Sequence, residues 1–370
     1  MNTLLMIIVA ILVARFGVEL VADILNLRCI SEKLPSEFDA WYDRRQYEKS
    51  QRYLRETTRF GILTDGVQST ASLVFILAGG FAWLDHLVRA AEQGDLVTGL
   101  LFMGSLFAAS QLLSLPFSIY STFVLEARYG FNRTTPRTFI LDIVKGLLLT
   151  ALLGGPLLAL MLWFFEKTGA MAWLWCWGSV TTIQIILLFL APYVIMPLFN
   201  KFTPLEAGAL RDAVEGYATE QAFAMKGVYT MDGSRRSAKS NAFFTGFGNS
   251  RRIVLFDTLV QKHPDPELLA IVAHEMGHYK RHHIIKAILR GIATTGATFF
   301  LLSLCIKSPT LFAAFRMEHL SIHASFVFFG FLYTPVSMAL GIVGAIISRR
   351  HEYEADAFAV ETAGDSTSLI

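Results

Sequence analysis

Long apolar runs separated by short charged segments dominate the pattern of this chain. Seven of the runs reach about 20 residues, the length that an α-helix needs to cross the apolar core of a bilayer. They predict membrane spans at residues 4–26, 62–84, 98–123, 138–164, 171–199, 284–306 and 324–347. The stretch between the fifth and sixth runs is polar and predicts a folded insert. The predicted fold class is therefore mainly α, a bundle of seven transmembrane helices with a small α+β insert.

The same pattern divides the chain into four regions. Residues 1–199 hold the first five spans with a charged first loop, residues 200–283 form the insert, and residues 284–347 hold the last two spans. Residues 348–370 are predicted to begin a C-terminal cytoplasmic segment that is truncated in this sequence.

Composition supports a membrane protein and excludes some other classes. Hydrophobic residues make up 54% of the chain and charged residues only 17%, against about 25% charged in a typical soluble domain. The net charge of +2 gives no basic field that would attract nucleic acid. The three cysteines lie far apart, without the spacing of a disulfide framework or a zinc knuckle.

The distribution of lysine and arginine predicts the orientation of the spans. The first loop, residues 28–59, carries eight of these residues, whereas the even-numbered loops together carry four. Because positive loops stay in the cytoplasm, the N-terminus is expected outside and the odd-numbered loops inside. The insert and the segment after the seventh span would then both face the cytoplasm. The membrane would be the inner membrane in a bacterium and the endoplasmic reticulum in a eukaryote.

In two of the predicted spans, charged residues allow more than one interpretation. In the first span Arg15, Glu19 and Asp23 follow one another at four-residue intervals and so share one helix face. This face either lines a water-filled interior or forms a self-paired stripe packed against a neighbouring helix. Asp142 and Lys145 in the fourth span allow the same two interpretations.

A metal site is predicted in "IVAHEMGHYKRHH", residues 271–283. The helix is expected to begin at Asp265 as N-cap, with Pro266 in its first turn. His274 and His278 are then one turn apart and can bind one zinc ion together. Glu275 lies about 100° round the helix, where a carboxylate can take a proton from a water that the metal activates. A chance match on an amphipathic helix is the alternative.

A catalytic zinc site needs a third protein ligand and one open position. On a straight helix His282 would stand about 12 Å along the axis from His274, too far to share one ion. His282 and His283 are therefore predicted to line the cytoplasmic mouth of the sixth span.

A second helix is predicted to supply the third ligand, and "SRRHEYEADAFAVETAG", residues 348–364, is the candidate. Glu352 is assigned to the metal, and Asp356, one turn further, is the acceptor that orients a ligand imidazole. Glu354 lies about 200° from Glu352 round the helix and is predicted to point elsewhere. An ordinary acidic surface helix is the alternative.

These motifs together resemble the type I CAAX prenyl proteases, which are integral-membrane zinc metallopeptidases of the gluzincin type. "HEMGH" and "HEYEADAFA" carry the resemblance together with "FVLEARYGFNRTTPRTFI" and "SNAFFTGFGNSRRIVLFDTLV". The resemblance implies removal of the C-terminal tripeptide from prenylated C-a-a-X proteins, in a chamber walled by the helices. It implies one zinc ion per chain on His274, His278 and Glu352, with Glu275 as the general base.

The resemblance also implies a strand in "SNAFFTGFG" that aligns the substrate backbone beside the metal, with Asn241, Ala242 and Phe243 as substrate-binding residues. From the residues themselves, "NAFF" and "RRIVLFDTLV" around a glycine-containing turn predict a hairpin. Its exposed edge could add the substrate as another strand, or the hairpin could be a structural support beneath the metal helix.

Members of the family usually continue into a segment with a His-Pro pair and a nearby arginine, whereas this sequence ends at "AGDSTSLI". We therefore expect metal binding to depend less on that segment than cleavage does. The predicted function is a membrane zinc metalloendopeptidase. The alternatives are a bacterial peptidase that processes non-prenylated membrane proteins, and a seven-span transport or binding protein.

Overall fold

The computed structural model describes residues 2–246 and 251–363. The chain forms two compact units. The first comprises Met1–Tyr129, Gly146–Gly178 and Thr295–Gly341, and the second comprises Gly130–Lys145, Ser179–Thr294 and Ile342–Ile370.

The helices are α1 (Thr3–Cys29), α2 (Arg44–Leu77), α3 (Gly80–Arg89), α4 (Asp95–Tyr120), α5 (Pro136–Leu149), α6 (Gly155–Lys167), α7 (Ala172–Leu190), α8 (Ile195–Phe199), α9 (Ala209–Glu220), α10 (Asp257–Lys262), α11 (Asp265–Lys280), α12 (His283–Cys305), α13 (Pro309–Ala314) and α14 (Ile322–Ala363).

Seven helical segments in the described part of the chain are long and apolar enough to cross a membrane, as the sequence predicts. They are Thr3–Cys29, Arg44–Leu77, Asp95–Glu126, Pro136–Lys167, Gly169–Leu190, His283–Cys305 and Ile322–Ala363. The predicted fold class, mainly α with seven membrane helices and a small mixed insert, is confirmed.

The second span differs most from its predicted bounds. The helix begins in the charged loop at Arg44, where the Asp43 side chain caps it by accepting a hydrogen bond from the Gln46 backbone N–H at 2.8 Å. It ends at Leu77, since Gly79 adopts a φ of +78° that favours glycine. Residues 80–84, predicted as the end of this span, belong instead to the separate helix α3.

The seventh span and the predicted acidic helix form one continuous helix. Helix α14 runs for 42 residues from Ile322 to Ala363. No glycine or proline separates the apolar segment from "SRRHEYEADAFA", so nothing in the sequence ends the helix at residue 347. The fifth span is shorter than predicted, because α7 ends at Leu190 and the short helix α8 follows.

The insert contains a four-stranded sheet in the second unit. Its strands are β1 (Phe202–Pro204), β2 (Gly227–Met231), β3 (Ala242–Thr245) and β4 (Arg252–Phe256), in the order β1-β2-β4-β3. Strands β3 and β4 are antiparallel, which confirms the predicted hairpin, although residues 247–250 of its turn lie outside the described residues. Strands β1 and β2 were not predicted.

The sheet and α11 share the core of the second unit. The buried face of α11 contributes Leu268, Val272, Ala273 and Met276, and β4 contributes Ile253 and Leu255. Since this apolar face is held against the sheet, the opposite face of α11 is fixed in orientation.

The charged residues of the first predicted span lie in the first unit. Arg15 Nε is 3.0 Å from Glu19 Oε1, so the two side chains pair along the helix. They also line a cleft of about 910 Å³ together with Asp65 and Gln68. Arg15 and Glu19 are thus self-paired and also line a polar cleft, so the choice between a packed stripe and a water-filled interior stays a prediction.

Asp142 and Lys145 in the fourth span do not pair with each other, so the self-paired alternative is wrong for them, and the water-filled interior stays a prediction. Arg236 of the insert donates two hydrogen bonds to the Asp142 carboxylate, at 2.7 and 2.9 Å. Lys145 Nζ donates to the Leu198 carbonyl at 2.7 Å. A bidentate guanidinium is a stronger partner for a carboxylate than a lysine on the same helix, and the sequence carries no signal for this long-range pair.

Candidate metal centre

Helix α11 presents two histidines on the face away from its core. It begins at Asp265, one residue after Pro264, so the predicted N-cap is displaced by one position. His274 and His278 are one turn apart, and their Nε2 atoms approach to 3.2 Å. The two ring nitrogens therefore point at one common region of space.

Helix α14 crosses α11 closely at Gly277. A Cβ atom at this glycine would lie 2.9 Å from Ala355 Cα and 3.0 Å from the Ala355 carbonyl oxygen. Ala355 itself is completely buried. The lack of a side chain at position 277 thus lets the two helices approach at the point where Glu352 and Asp356 meet the histidines.

Three donor atoms converge at this crossing. Glu352 Oε2 lies 3.4 Å from His274 Nε2 and 3.6 Å from His278 Nε2. Candidate ligand atoms from His274, His278 and Glu352 all lie within 4.8 Å of one another. The structure thus brings together the three residues that the sequence assigns to a metal.

Asp356 contacts the outer nitrogen of one imidazole. Its Oδ1 lies 2.7 Å from His274 Nδ1. Because a carboxylate can only accept, His274 donates from Nδ1–H, which leaves a lone pair on its Nε2. This is the position that the sequence predicts for Asp356.

The donor set fits a tetrahedral zinc ion. Ligands about 2.0–2.1 Å from a tetrahedral zinc are separated from one another by about 3.3–3.4 Å, and the three separations here are 3.2, 3.4 and 3.6 Å. Neither Glu352 nor Asp356 forms an ion pair with any lysine or arginine that the structure describes. Lone pairs that converge without a positive side chain are suited to an added cation.

Glu275 lies beside this group and not within it. It lines a cleft of about 770 Å³ together with His278, Glu352 and the aromatic side chains of Phe243 and Phe244. Burial raises the pKa of the Glu275 carboxyl; the charge of Glu352 adds to the rise, and His274 opposes it. Burial lowers the pKa of His278, which favours the neutral imidazole that a metal requires.

The two remaining histidines of the motif separate from each other. His282 has a φ of +59° and forms the turn between α11 and α12. His283 begins α12, is only 4% exposed, and places its Nδ1 3.0 Å from His278 Nδ1. His283 is the first residue of the sixth span, where the sequence predicts it, and it also contacts the candidate centre, which the sequence does not predict. The continuous helix assumed in that prediction is interrupted at His282.

Glu354 stays out of the donor group, as its helical phase predicts. Its carboxylate instead lies 3.1 Å from His283 Nε2 and accepts a hydrogen bond from Arg350 at 2.9 Å. The Arg350 partner lies one turn away on the same helix, whereas the contact with His283 depends on the turn at His282 and is not predicted by the sequence.

The predicted substrate-binding residues lie at the edge of the sheet. Strand β3 is the last strand in the sheet order. Phe243 lines the cleft beside Glu275. Ala242 is buried in the core of the second unit. The Asn241 side chain accepts from the Ala242 backbone N–H at 2.9 Å, and the Asn241 carbonyl accepts from Phe256 N–H at 3.0 Å.

Known proteins share this architecture over most of the chain. The model for "CAAX prenyl protease N-terminal, five membrane helices" matches residues 23–201, and that for "Peptidase family M48" matches residues 204–369. CAAX prenyl protease 1 of Saccharomyces cerevisiae is 34% identical over 94% of this chain and 83% of its own length. Probable CAAX prenyl protease 1 of Schizosaccharomyces pombe is 35% identical over 89% and 73%. The crystal structure of S. mikatae Ste24p superposes with a TM-score of 0.91 at 34% identity, covering 96% of this chain and 88% of that one.

A bundle of membrane helices joined to an M48 peptidase domain defines an integral-membrane metalloprotease. The chain belongs to the CAAX prenyl protease family of M48 peptidases. This membership confirms the predicted enzyme class, a membrane zinc metalloprotease, and does not favour a seven-span transport or binding protein.

Proposed function

We propose that this chain cleaves peptide bonds with one zinc ion held by His274, His278 and Glu352. The observation that carries the proposal is the spacing of the three donor atoms, 3.2 to 3.6 Å, at the crossing of α11 and α14. Asp356 orients His274 so that its lone pair faces the ion. When bound, zinc supplies Lewis acidity, which polarises the scissile carbonyl and acidifies a water molecule.

Glu275 is the general base of the reaction. Its carboxylate takes a proton from the attacking water and passes it to the leaving amine. The cleft beside it gives the substrate access to this carboxylate.

The edge of the sheet supports a binding mode for the peptide. Strand β3 pairs with β4 on one side, so its other side can accept an extended peptide as an added strand. The side chains of Phe243 and Phe244 line the same cleft as Glu275. An extended peptide along β3 would thus pass in front of the catalytic carboxylate, with Asn241 contributing its side-chain amide and Ala242 its backbone carbonyl, because the Asn241 carbonyl already accepts from Phe256 N–H.

The substrate class is a prenylated C-terminal C-a-a-X sequence, from which the enzyme removes the tripeptide. The names of the related proteins support this class. The excess of lysine and arginine in the odd-numbered loops supports an active site that faces the cytoplasm. Similarity to yeast and plant CAAX proteases supports the endoplasmic reticulum if the source is a eukaryote.

A pair of measurements on full-length protein tests the proposal. The purified enzyme should hold about one zinc per chain, and His274→Ala or His278→Ala should remove it. Glu275→Gln should keep the zinc but cleave a farnesylated C-a-a-X peptide at least roughly a hundredfold more slowly, since glutamine cannot accept the proton. The matched control is Glu267→Gln on the same helix, whose side chain binds His263 instead.

Two results would contradict the proposal. Full zinc occupancy in both histidine variants would reject the ligand assignment. Normal cleavage by Glu275→Gln would reject the general base. The substrate class is tested by an unmodified peptide of the same sequence. If the enzyme cleaves the unmodified and farnesylated peptides equally well, it is a general membrane-protein peptidase.

A further inference from the structure

His283 occupies the space behind one of the candidate metal ligands. Its ring is nearly fully buried and meets His278 nitrogen to nitrogen, with Nδ1 3.0 Å from Nδ1. On the opposite side of the ring, His283 Nε2 lies 3.1 Å from a carboxylate oxygen of Glu354. A continuous path of polar atoms thus runs from Glu354 through His283 to His278.

The direction of these hydrogen bonds follows from the chemistry of the end groups. The carboxylate of Glu354 accepts, so the neutral His283 ring carries its proton on Nε2 and has a lone pair on Nδ1. His278 must then donate its own Nδ1–H to that lone pair. The lone pair of the His278 ring is then on Nε2, the atom that faces Glu352 and His274.

The opposite arrangement conflicts with metal binding. If His283 donated from Nδ1, then His278 would carry its proton on Nε2 and could not be a ligand. His283 and Glu354 therefore select the one tautomer of His278 that can bind a metal. Asp356 has the same effect on His274 through a single hydrogen bond.

The surroundings hold the His283 ring in place. Its face stacks on the ring of His351, with the centroids 3.9 Å apart and the planes at 8°. The turn at His282, with its φ of +59°, begins α12 at the position that directs the His283 side chain back to α11. Arg350 donates to the other oxygen of Glu354 at 2.9 Å. These contacts leave the ring little freedom to rotate away from His278.

We propose that His283 is a positioning residue of the metal centre, which fixes the proton and the ring orientation of His278. The inference rests on the proposed zinc site and extends it to the residues that orient the ligands. Loss of such a support lowers metal affinity by about 10- to 100-fold in other metalloproteins. We expect an effect of this size, reached without direct contact between His283 and the ion.

The test measures zinc affinity by competition with a chelator in the full-length protein. His283→Phe keeps a flat ring that can stack on His351 but offers no acceptor, so zinc affinity should fall by about 10- to 100-fold. His283→Asn places its Oδ1 where Nδ1 stood and should retain most of the affinity. The matched control is His282→Asn, because asparagine tolerates a positive φ and the His282 side chain has no described polar contact.

Variants at the other end of the path provide a second test that does not alter the His283 ring. Glu354→Gln keeps an acceptor for His283 Nε2–H and should bind zinc nearly as the parent does. Glu354→Leu removes the acceptor and should weaken binding several-fold, below the effect of His283→Phe. Both variants lose the charge that pairs with Arg350, so the difference between them reports the loss of a hydrogen-bond acceptor and not the loss of the charge.

Three outcomes test this inference separately from the zinc site itself. If His278→Ala removes zinc but His283→Phe binds it as tightly as the parent, His283 is only a packing residue and the inference is wrong. Equal losses in His283→Phe and His283→Asn would also reject it, because the acceptor would not be responsible. If His278→Ala keeps its zinc, the proposed site fails before His283 is considered. Melting temperatures of the metal-free variants show whether any loss reflects the fold.

Discussion

Two of the polar clusters in this apolar chain balance their charges in different ways. The metal cluster consists of His274, His278, Glu352 and Asp356 in the second unit, and the cleft cluster contains Arg15, Glu19 and Asp65 in the first unit. In the cleft cluster the Arg15 guanidinium lies 3.0 Å from the Glu19 carboxylate. In the metal cluster no lysine or arginine from the described residues pairs with either carboxylate.

This difference distinguishes a site that needs an added cation from one that does not. In the cleft cluster the protein itself supplies a cation, because the Arg15 guanidinium pairs with Glu19 and attracts the Asp65 carboxylate at longer range. In the metal cluster Asp356 accepts the Nδ1 proton of His274, and His283 is proposed to accept that of His278. The two imidazoles and Glu352 then present three converging lone pairs with no proton donor between them. Such a group of acceptors is suited to bind a cation. A count of charged residues alone would not distinguish the metal cluster from the cleft cluster.

The largest effect on zinc affinity is expected when a proposed ligand of the metal cluster is removed. Glu352→Ala removes the only negatively charged ligand of the three, so zinc affinity should fall by more than roughly a hundredfold, beyond the range for supporting residues. Chelator competition measures the loss. Glu361→Ala on the same helix is the matched control, since Glu361 lies outside the donor group. Comparable losses in the two variants would show that general charge near the helix, and not ligation, is responsible.

A smaller effect is expected when a support is removed and the ligands are left in place. Asp356→Ala deprives His274 Nδ1–H of its acceptor at 2.7 Å. Zinc affinity should fall by about 10- to 100-fold. Asp356→Asn retains a carbonyl acceptor and should lose less. An alanine variant with parent-like affinity would show that His274 needs no orientation from Asp356.

Sequence periodicity was sufficient to predict the donor group that the structure brings together, because its members follow helical spacing. His274 and His278 are one turn apart on α11, and Glu352 and Asp356 are one turn apart on α14. Both pairs could be placed on one face without tertiary information. The seven spans and the hairpin were accessible for the same reason, since each has its own hydrophobic pattern.

The residues that orient the proposed ligands could not be predicted from helical spacing. His283 reaches His278 only because the helix is interrupted at His282, a non-glycine residue in a left-handed conformation that no sequence signal marks. Glu354 was correctly excluded from the ligands, but its partner depends on the same turn. The Asp142–Arg236 pair joins residues 94 positions apart and is equally hidden from local patterns.

The close approach of the two helices gives a third way to disturb the metal cluster. Gly277→Ala places a Cβ 2.9 Å from the Ala355 backbone, which cannot move as a flexible side chain would. Overpacking of this kind costs about 1–3 kcal/mol. Thermal unfolding should detect a lower melting temperature, and we expect zinc affinity to fall because α14 shifts with Glu352.

The control for this variant is a glycine in an open position. A Cβ at Gly216 in α9 would meet no atom within 4 Å. Gly216→Ala should therefore raise stability by about 0.5–1 kcal/mol, the ordinary gain from replacing glycine in a helix. If Gly277→Ala is stabilised to the same degree, the crossing is looser than the structure indicates.

The smallest effect is expected in the cleft cluster, and it separates the two interpretations of the first span. Arg15→Met leaves Glu19 without its partner in a cleft of about 910 Å³. This volume can hold several waters, and a hydrated ion pair contributes only about 0–1 kcal/mol. We therefore expect the free energy of unfolding to change little, and the double variant Arg15→Met with Glu19→Met to behave like the single one. Zinc affinity should stay unchanged, because Arg15 pairs with Glu19 and not with a ligand.

A single variant that is much less stable than the double variant would mean that Glu19 is held in a dry environment, because an unpaired buried carboxylate costs several kcal/mol. The cleft cluster would then be a packed, self-paired stripe and not a water-lined surface.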